Sequence, residues 1–261
     1  MTFSIAISGK GGTGKTTLAT LFIRILHEAT GDVVLAIDAD PNSNLHSSLG
    51  VAPPRSVGEI REKMLAEKDK LPIEQTKEDY LNYMIQSSVL ECEGFDLLAM
   101  GRPEGPGCYC YVNNLLRKIV DTLATNYRYL VLDSEAGLEH LSRRTTRDID
   151  LLLTVVDPTL KGILTAKRIK DLTRELGISV GRILTIANRV PKGLEEKVSA
   201  EVKAQGLDLI GVVPEDPLVE QFDFEGRPTY QLPSHSLSYL SVKSIAGSLG
   251  IPQLKASVQF H

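Results

Sequence analysis

One glycine-rich segment near the start of the chain carries the residues best suited to chemistry. Residues 9–16 read Gly-Lys-Gly-Gly-Thr-Gly-Lys-Thr, which fits the pattern G-x-x-x-x-G-K-[ST]. An apolar run precedes the segment and an amphipathic, helix-spaced run follows it, as the pattern requires. Glycines let successive backbone N–H groups turn inward and approach an anion without Cβ clashes. The sequence therefore predicts a loop that binds the phosphates of a nucleotide such as ATP or ADP.

Each part of this phosphate loop, defined here as Gly9–Thr17, has an expected role. Lys15 should reach the β- and γ-phosphates, and the Thr16 hydroxyl should ligate Mg²⁺. The helix that opens at Thr16 adds the partial positive charge of its N-terminus. The residues expected to contact the nucleotide are Gly11, Gly12, Thr13, Gly14, Lys15, Thr16 and Thr17.

Lys10 adds a second cation beside Lys15, at a variable position of the pattern. A lysine in such a loop is most simply a solvated side chain. Lys10 is grouped with Lys15 as a catalytic candidate only through the family resemblance given below.

Carboxylates follow two later apolar runs: Asp38 and Asp40 follow one, and Asp133 ends the other. Open α/β sheets bind ligands at the carboxyl ends of their strands. Asp38 and Asp40 would point the same way if the strand continued to residue 40, so that one could serve Mg²⁺ while the other orients the attacking water. Asp133 fits a carboxylate that acts on Mg²⁺ through water. A capping or Asx-turn role before Pro41 remains open.

A cysteine pair, Cys108 and Cys110, stands in the segment Gly-Pro-Gly-Cys-Tyr-Cys-Tyr. Residues two apart on an extended chain project to one side, so both sulfurs could face one ligand. A helix-spaced run follows, and a helix N-terminus favours the thiolate that binds metals. Two thiolates are half of a four-sulfur site, which a twofold-related copy would complete for nickel or zinc. The residues alone leave buried small hydrophobes and a redox pair as alternatives.

The elements that must position these residues alternate between strand and helix along the chain. The strand candidates are short apolar runs, several of them nearly continuous, as in parallel strands buried on both faces. They are Phe3–Ser8, Val33–Asp38, Phe95–Met100, Tyr129–Asp133, Leu151–Val156, Ile183–Ala187 and Leu209–Val213. This alternation predicts an α/β fold with a doubly wound, mostly parallel sheet flanked by helices. With no repeat or linker, residues 1–261 are expected to form a single domain.

Two helices have clear apolar spacing, Thr17–Glu28 and Leu160–Leu176. In the second, Leu176 is expected to face inward with the rest of the apolar stripe, and Gly177 is placed as a C-cap. The charged stretch Glu59–Lys70 is most simply a solvated helix face, with a partner surface as the alternative.

Composition excludes several classes of protein. Of the 261 residues 42% are hydrophobic, and the net charge of −4 gives no general attraction to nucleic acid or anionic lipid. No apolar run approaches the about 20 residues that cross a bilayer. The first residues lack the basic region and cleavage site of a leader, and three cysteines are too few for a disulfide scaffold. A cytoplasmic protein with free thiols is expected.

The phosphate loop with its additional lysine resembles the deviant Walker A family of P-loop ATPases. Its members include cell-division and plasmid-partition ATPases, nitrogenase iron protein and several metal-cluster maturation factors. In that family the lysine matching Lys10 reaches across a dimer interface to the partner's nucleotide. The resemblance therefore implies a nucleotide-driven homodimer.

The same resemblance implies roles for residues at other strand ends. Asp40 matches the first switch and is implied to position the attacking water. Asp133 and the following Ala136-Gly137 resemble the second switch, which senses whether ATP or ADP is bound.

Two further segments resemble the base pocket of the family. Asn188, followed by Arg189, stands where family members use an asparagine amide to read adenine. Pro214 and Glu215 resemble the loop that flanks the base. An asparagine after a strand is also a common turn residue, and that alternative stays open.

The cysteine pair and residues 136–143, Ala-Gly-Leu-Glu-His-Leu-Ser-Arg, together resemble the carbon monoxide dehydrogenase maturation ATPases and their relatives that serve acetyl-CoA synthase. The similarity runs over nearly the whole chain, from Gly9 to the loop at Pro214. In that family the paired cysteines of two subunits hold one nickel ion, and ATP turnover is tied to delivery of nickel into an iron–sulfur enzyme. His140 is more simply a surface or switch histidine than a further ligand.

Two other functions are compatible with this fold. A redox protein like nitrogenase iron protein needs a cysteine in the second switch, and residues 133–148 contain none. A spatial-organisation ATPase would bind membrane or DNA, but residues 251–261 are too short for a basic amphipathic helix and the net charge does not favour DNA. We therefore expect ATP and Mg²⁺ as cofactors, nickel as cargo with zinc as the alternative ion, and no nucleic acid or membrane partner.

Overall fold

Eight strands join in one sheet in the computed structural model, which describes residues 2–40, 42–66, 76–101, 118–134 and 149–251. The strands are β1 (Phe3–Gly9), β2 (Val34–Asp38), β3 (Leu90–Glu91), β4 (Phe95–Ala99), β5 (Tyr129–Asp133), β6 (Ile149–Val156), β7 (Val180–Val190) and β8 (Leu209–Pro214). Their order across the sheet is β3-β4-β2-β5-β1-β6-β7-β8. Every neighbouring pair is parallel except β3 with β4. The predicted doubly wound, mostly parallel sheet is confirmed.

The strands differ from the prediction in two places. β7 has 11 residues, many more than the predicted Ile183–Ala187, because its half-exposed beginning still pairs with β6 although it lacks an apolar pattern. β3 was not predicted, since its two residues are too few to show any alternation. It pairs antiparallel with β4 and forms one edge of the sheet.

Helices cover both faces of the sheet. They are α1 (Lys15–Thr30), α2 (Leu45–Leu49), α3 (Val57–Ala66), α4 (Lys77–Gln86), α5 (Leu160–Glu175), α6 (Glu195–Ala204), α7 (Pro217–Glu225) and α8 (Leu237–Ser248). Residues 118–124 are also helical. Ile5 and Ile7 belong to one buried apolar cluster and Ala6 to another, because successive side chains of a strand point to opposite faces. None of the described helices is both long and apolar enough to cross a bilayer.

The two predicted helices form with small differences. α1 buries its predicted apolar stripe and also Ala19, Thr20 and Ile23, because α2 and α8 pack beside it as well as the sheet. The expectation that Leu176 faces inward is wrong: it is 46% exposed. α5 ends at Glu175, and Gly177 (φ +62°) turns the chain away, so Leu176 lies past the stripe.

The carboxyl ends of the parallel strands lie along one edge of the sheet and bring distant residues together. Asp38 at the end of β2 stands in register with Asp133 at the end of β5. β1 lies on the other side of β5, with Ile7 in register with Asp133, and Gly9 lies beside Val155 of β6. The phosphate loop therefore starts between two strand ends.

Residues of neighbouring strands pack closely against the phosphate loop. A Cβ at Gly9 would lie 2.3 Å from the carbonyl oxygen of Val155. Gly14 has a left-handed backbone (φ +85°), and a Cβ there would lie 2.4 Å from the amide nitrogen of Asn188, at the end of β7. Only glycine satisfies both conditions at position 14.

We expect Gly14→Ala to lower the free energy of unfolding by about 1–2 kcal/mol through its left-handed backbone, with a further loss from overlap with Asn188. Gly11→Ala is the matched control, because a Cβ at Gly11 meets no atom within 4 Å. Urea unfolding of both variants, and of Gly14→Ala combined with Asn188→Ala, separates the two effects. Equal losses for Gly14→Ala and Gly11→Ala would contradict the packing described here.

Candidate functional site

The backbone carbonyl of Lys10 is the main internal hydrogen-bond acceptor described in the phosphate loop. The carbonyl oxygen of Lys10 accepts hydrogen bonds from the Thr13 hydroxyl (2.9 Å), the Thr13 N–H (3.3 Å) and the Lys15 ammonium (3.3 Å). Lys15 is buried, with 7% of its surface exposed. Gly14 gives α1 no side-chain cap. The first-turn N–H groups of α1 therefore remain for an anion, next to a lysine that already points into the loop.

Thr16 and Asp133, both predicted to act on Mg²⁺, are in direct contact. The Thr16 hydroxyl donates to Oδ2 of Asp133 at 2.6 Å. Asp133 is 1% exposed, and its Oδ1 has no hydrogen-bond partner among the described residues. Burial raises the pKa of Asp133 to about 7, and the charge of Asp38 also raises it, against the Thr16 hydrogen bond and the Lys15 charge.

This donor set fits Mg²⁺, which prefers oxygen ligands and usually keeps waters and phosphate oxygens around it. Within the described ranges, no group of three or more His, Cys, Asp or Glu side chains is placed to hold a metal by itself. The Thr16 hydroxyl and the unpartnered oxygen of Asp133 would hold the ion together with a nucleotide. Bound there, Mg²⁺ would neutralise phosphate charge.

Asp38 anchors the loop that follows β2. Its Oδ1 accepts from the N–H of Asp40 (3.2 Å), and its Oδ2 accepts from the N–H of Leu45 (3.1 Å), at the start of α2. Burial raises the pKa of Asp38 to about 6, although these two N–H groups lower it. β2 ends at Asp38, so Asp38 and Asp40 do not share a strand face as they would in a longer strand.

Asp40 lies half-buried in a turn. Its Oδ1 accepts from the N–H of Asn42 (2.8 Å), which is an Asx turn, and its carbonyl accepts from the N–H of Ser43 (2.9 Å). Ser43 has a positive φ of 46°. The turn role that the sequence left open is therefore present, and the role in positioning water stays a prediction.

Lys10 forms an ion pair within its own chain. Its ammonium lies 3.3 Å from Oδ2 of Asp157, which follows β6. Oδ1 of Asp157 accepts from the hydroxyl and the N–H of Thr159, the N-cap of α5. Burial acts to raise the pKa of Asp157, but the Thr159 hydroxyl and Lys10 bring it below its usual value. A Cβ at Gly162 would lie 2.0 Å from Asp157 Oδ1, so glycine makes room for the carboxylate.

Sequence reasoning missed Asp157. The signal was available: an aspartate directly after an apolar strand, at the same sheet edge as Asp38 and Asp133, and followed by Pro158 and Thr159.

The predicted base-pocket residues line one cavity of about 330 Å³. The predicted residues in its wall are Thr17, Asn188, Arg189, Pro214 and Glu215, and the further residues are Asp216, Val219, Glu220, Asp223 and Ser238. Asp216 fixes this wall, because its carboxylate accepts from the Ser236 hydroxyl (2.6 Å) and from the N–H groups of Ser238 (2.8 Å) and Leu218 (3.0 Å).

Asn188 contacts the phosphate loop. It is 4% exposed, and its amide nitrogen donates to the carbonyl of Thr13 at 2.8 Å. The guanidinium of Arg189 donates to the carbonyl of Gly12 at 3.1 Å. The resemblance implied that the Asn188 amide reads adenine; in the structure its N–H₂ group joins the end of β7 to the phosphate loop, and adenine recognition stays a prediction.

The predicted metal-binding and second-switch residues Cys108, Cys110, Ala136, Gly137 and His140 lie outside the described residues. The third cysteine, Cys92, is half-buried next to the sheet edge, and burial raises the pKa of its thiol.

Comparison with known proteins identifies the group to which this site belongs. Residues 4–229 match the family model of the CobQ/CobB/MinD/ParA nucleotide binding domain. The chain is 47% identical over 244 residues to an uncharacterized ATP-binding protein of Methanocaldococcus jannaschii, covering 93% of this chain and 96% of that protein. It is 33% identical over 239 residues to the carbon monoxide dehydrogenase accessory protein CooC of Rhodospirillum rubrum, covering 87% and 89%.

Solved structures agree on the fold. A ParA family ATPase from Chlorobium tepidum matches with a TM-score of 0.72 at 20% identity, covering 96% of this chain and all of that one. The septum site-determining protein MinD of Pyrococcus horikoshii, solved with Mg-ADP, matches with a TM-score of 0.69 at 21% identity, covering both chains fully. The protein belongs to the CobQ/CobB/MinD/ParA family of ATP-binding P-loop ATPases.

Proposed function

We propose that this ATPase is a metallochaperone: a homodimer that binds nickel between its subunits and delivers it to an iron–sulfur enzyme, carbon monoxide dehydrogenase or acetyl-CoA synthase. The observation that carries the proposal is the joint presence of Lys10 in the phosphate loop and the Cys108-x-Cys110 pair. The 33% identity to a carbon monoxide dehydrogenase accessory protein supports it. The chain covers 89% of that relative, so the similarity is not confined to the phosphate loop.

Hydrolysis would rely on the polar groups around the phosphate loop. Phosphoryl transfer depends on positioning and charge stabilisation more than on a strong base. Lys15 and the first N–H groups of α1 would hold the phosphates, and Thr16 with Asp133 would hold Mg²⁺. Asp40 would orient the attacking water from the loop that Asp38 anchors. Asp38 would keep Asp40 in position, because its carboxylate accepts from the N–H groups of Asp40 and Leu45.

Dimerisation would use Lys10. Its ion pair with Asp157 is partly exposed (33% and 21% for the two side chains). Such pairs contribute only about 0–1 kcal/mol, so the triphosphate of a partner subunit could draw Lys10 away. Asp157 would then hold the lysine in place while no partner is bound.

Metal binding would depend on the same dimer. Two thiolates per chain make half of a four-sulfur site, so full coordination needs both subunits. Nucleotide states that rearrange the dimer must then change metal affinity, and the metal must change nucleotide preference by the same factor. This reciprocity would let hydrolysis release nickel towards a client. Zinc is the alternative ion.

The Asp40 prediction separates water positioning from the turn. Asp40→Asn keeps an oxygen that can accept from the Asn42 N–H and removes the charge. We expect Asp40→Asn and Asp40→Ala both to lower kcat by about 10²-fold while ADP binding is kept, because positioned general bases contribute on that scale. Asp32→Asn, which alters an exposed pair with Arg128, is the control. If Asp40→Asn had the kcat of the wild type, Asp40 would not position the water, and its only role would be in the turn.

The Lys10 prediction compares two variants. Lys10→Ala should weaken dimerisation with a non-hydrolysable ATP analogue and leave ADP binding by the monomer nearly unchanged, because Lys15 and the loop amides remain. Asp157→Asn should promote dimerisation by up to about fivefold, the value of a surface ion pair. Sedimentation measures both, with Lys161→Ala on exposed α5 surface as the charge control. Normal dimerisation of Lys10→Ala would remove the role across the interface.

The metal prediction is one of stoichiometry. Nickel titration should saturate at about one ion per two chains and should favour dimer even without ATP. Cys108→Ser combined with Cys110→Ser should lose the ion and still bind ADP, whereas Cys92→Ser should keep both. One ion per chain on a persistent monomer would refute the shared site. Metal retained by the double variant would also refute it.

A further inference from the structure

The end of β7 is irregular where it meets the phosphate loop. Pairing between β7 and β8 shifts register between Ala187 and Val190, so residues 188 and 189 form a bulge. Arg189 has a left-handed backbone (φ +55°), one of two such non-glycine residues in the described chain. Bulges beside ligand sites re-aim side chains, and strained residues persist where the surrounding structure requires them.

The bulge sends two adjacent side chains to two adjacent carbonyls of the phosphate loop. Asn188 donates to the carbonyl of Thr13 (2.8 Å), and Arg189 donates to the carbonyl of Gly12 (3.1 Å). A regular strand would point successive side chains to opposite faces of the sheet. The left-handed backbone at Arg189 is therefore coupled to this double contact.

The two hydrogen bonds orient the loop amides. In a trans peptide the C=O and N–H point in opposite directions. Holding the Thr13 carbonyl on the outer side directs the N–H of Gly14 to the other side, towards the concave part of the loop. The Arg189 guanidinium also places a positive charge on the side of the phosphate loop that faces β7. Arg189 lines the same cavity as the other predicted base-pocket residues.

We propose that Arg189 is a positioning residue for nucleotide binding: through its hydrogen bond to the Gly12 carbonyl it holds the phosphate loop in its anion-binding shape, and the left-handed backbone at the bulge is what aims the guanidinium at that carbonyl. The inference rests on the nucleotide binding of the family and is independent of nickel.

Three substitutions separate charge from strain. Arg189→Ala removes the guanidinium and keeps the strained backbone, Arg189→Gly removes both, and Arg189→Lys keeps a cation. We expect Ala and Gly to raise the ADP Kd by about tenfold, as loss of one charged hydrogen bond does, and Lys to recover part of the loss. The KM for ATP should rise more than kcat falls. In thermal unfolding without nucleotide, the Gly variant should be more stable than the Ala variant.

Arg168→Ala is the control, because Arg168 pairs with Glu175 on the exposed surface of α5. It should leave the ADP Kd at the wild-type value. The proposal is overturned if Arg189→Ala and Arg189→Gly bind ADP within about twofold of wild type. It is also overturned if the Lys variant is no better than Ala, or if affinity follows thermal stability across the series. Nickel stoichiometry of the same variants reports on the metallochaperone proposal separately.

Discussion

Asp38 and Asp133 lie side by side at the ends of neighbouring parallel strands, each 1% exposed. Burial raises the pKa of both carboxyl groups; the charge of Asp38 adds to the rise at Asp133, and the charge of Asp40 adds to the rise at Asp38. Neighbouring groups that are positively charged or donate hydrogen bonds stabilise the two carboxylates. They are the Lys15 ammonium, the Thr16 hydroxyl and the backbone N–H of Leu45. A bound cation would complete the compensation. The phosphate loop, the residues after β2 and the proposed Mg²⁺ position would then be parts of one electrostatic arrangement.

Each contact at this sheet edge joins segments that are distant along the chain. Asn188 and Arg189 hold the phosphate loop from β7, and Asp157 holds Lys10 from β6. A change of nucleotide at the loop would therefore reach several strand ends at once. For the proposed metallochaperone, such coupling would link nucleotide state to cargo binding, since linked sites must change each other's affinity reciprocally.

Much of the fold and the central site was predictable because the signals are local. The glycines of Gly9–Thr17 are sufficient to predict the loop, and the position of Asp133 at the end of a continuous apolar run indicates a strand-end carboxylate. Leu176 and β3 were not predicted correctly, because one lies just past a helix end and the other has only two residues. The hydrogen bond from the Asn188 amide to the Thr13 carbonyl could not be predicted either, since the two residues are 175 positions apart in the chain.

The amino-acid sequence by itself determined the α/β class, the phosphate loop with its two lysines, and the family to which these belong, because each depends on short-range spacing of glycine, apolar and charged residues. Only the tertiary structure decided which partner each polar group has. Asp157 became visible as the partner of Lys10, and Arg189 as a contact of Gly12, through the packing of strand ends. Parallel strands need long crossover connections, so side chains that meet at one sheet edge are far apart in sequence, and no local pattern can pair them.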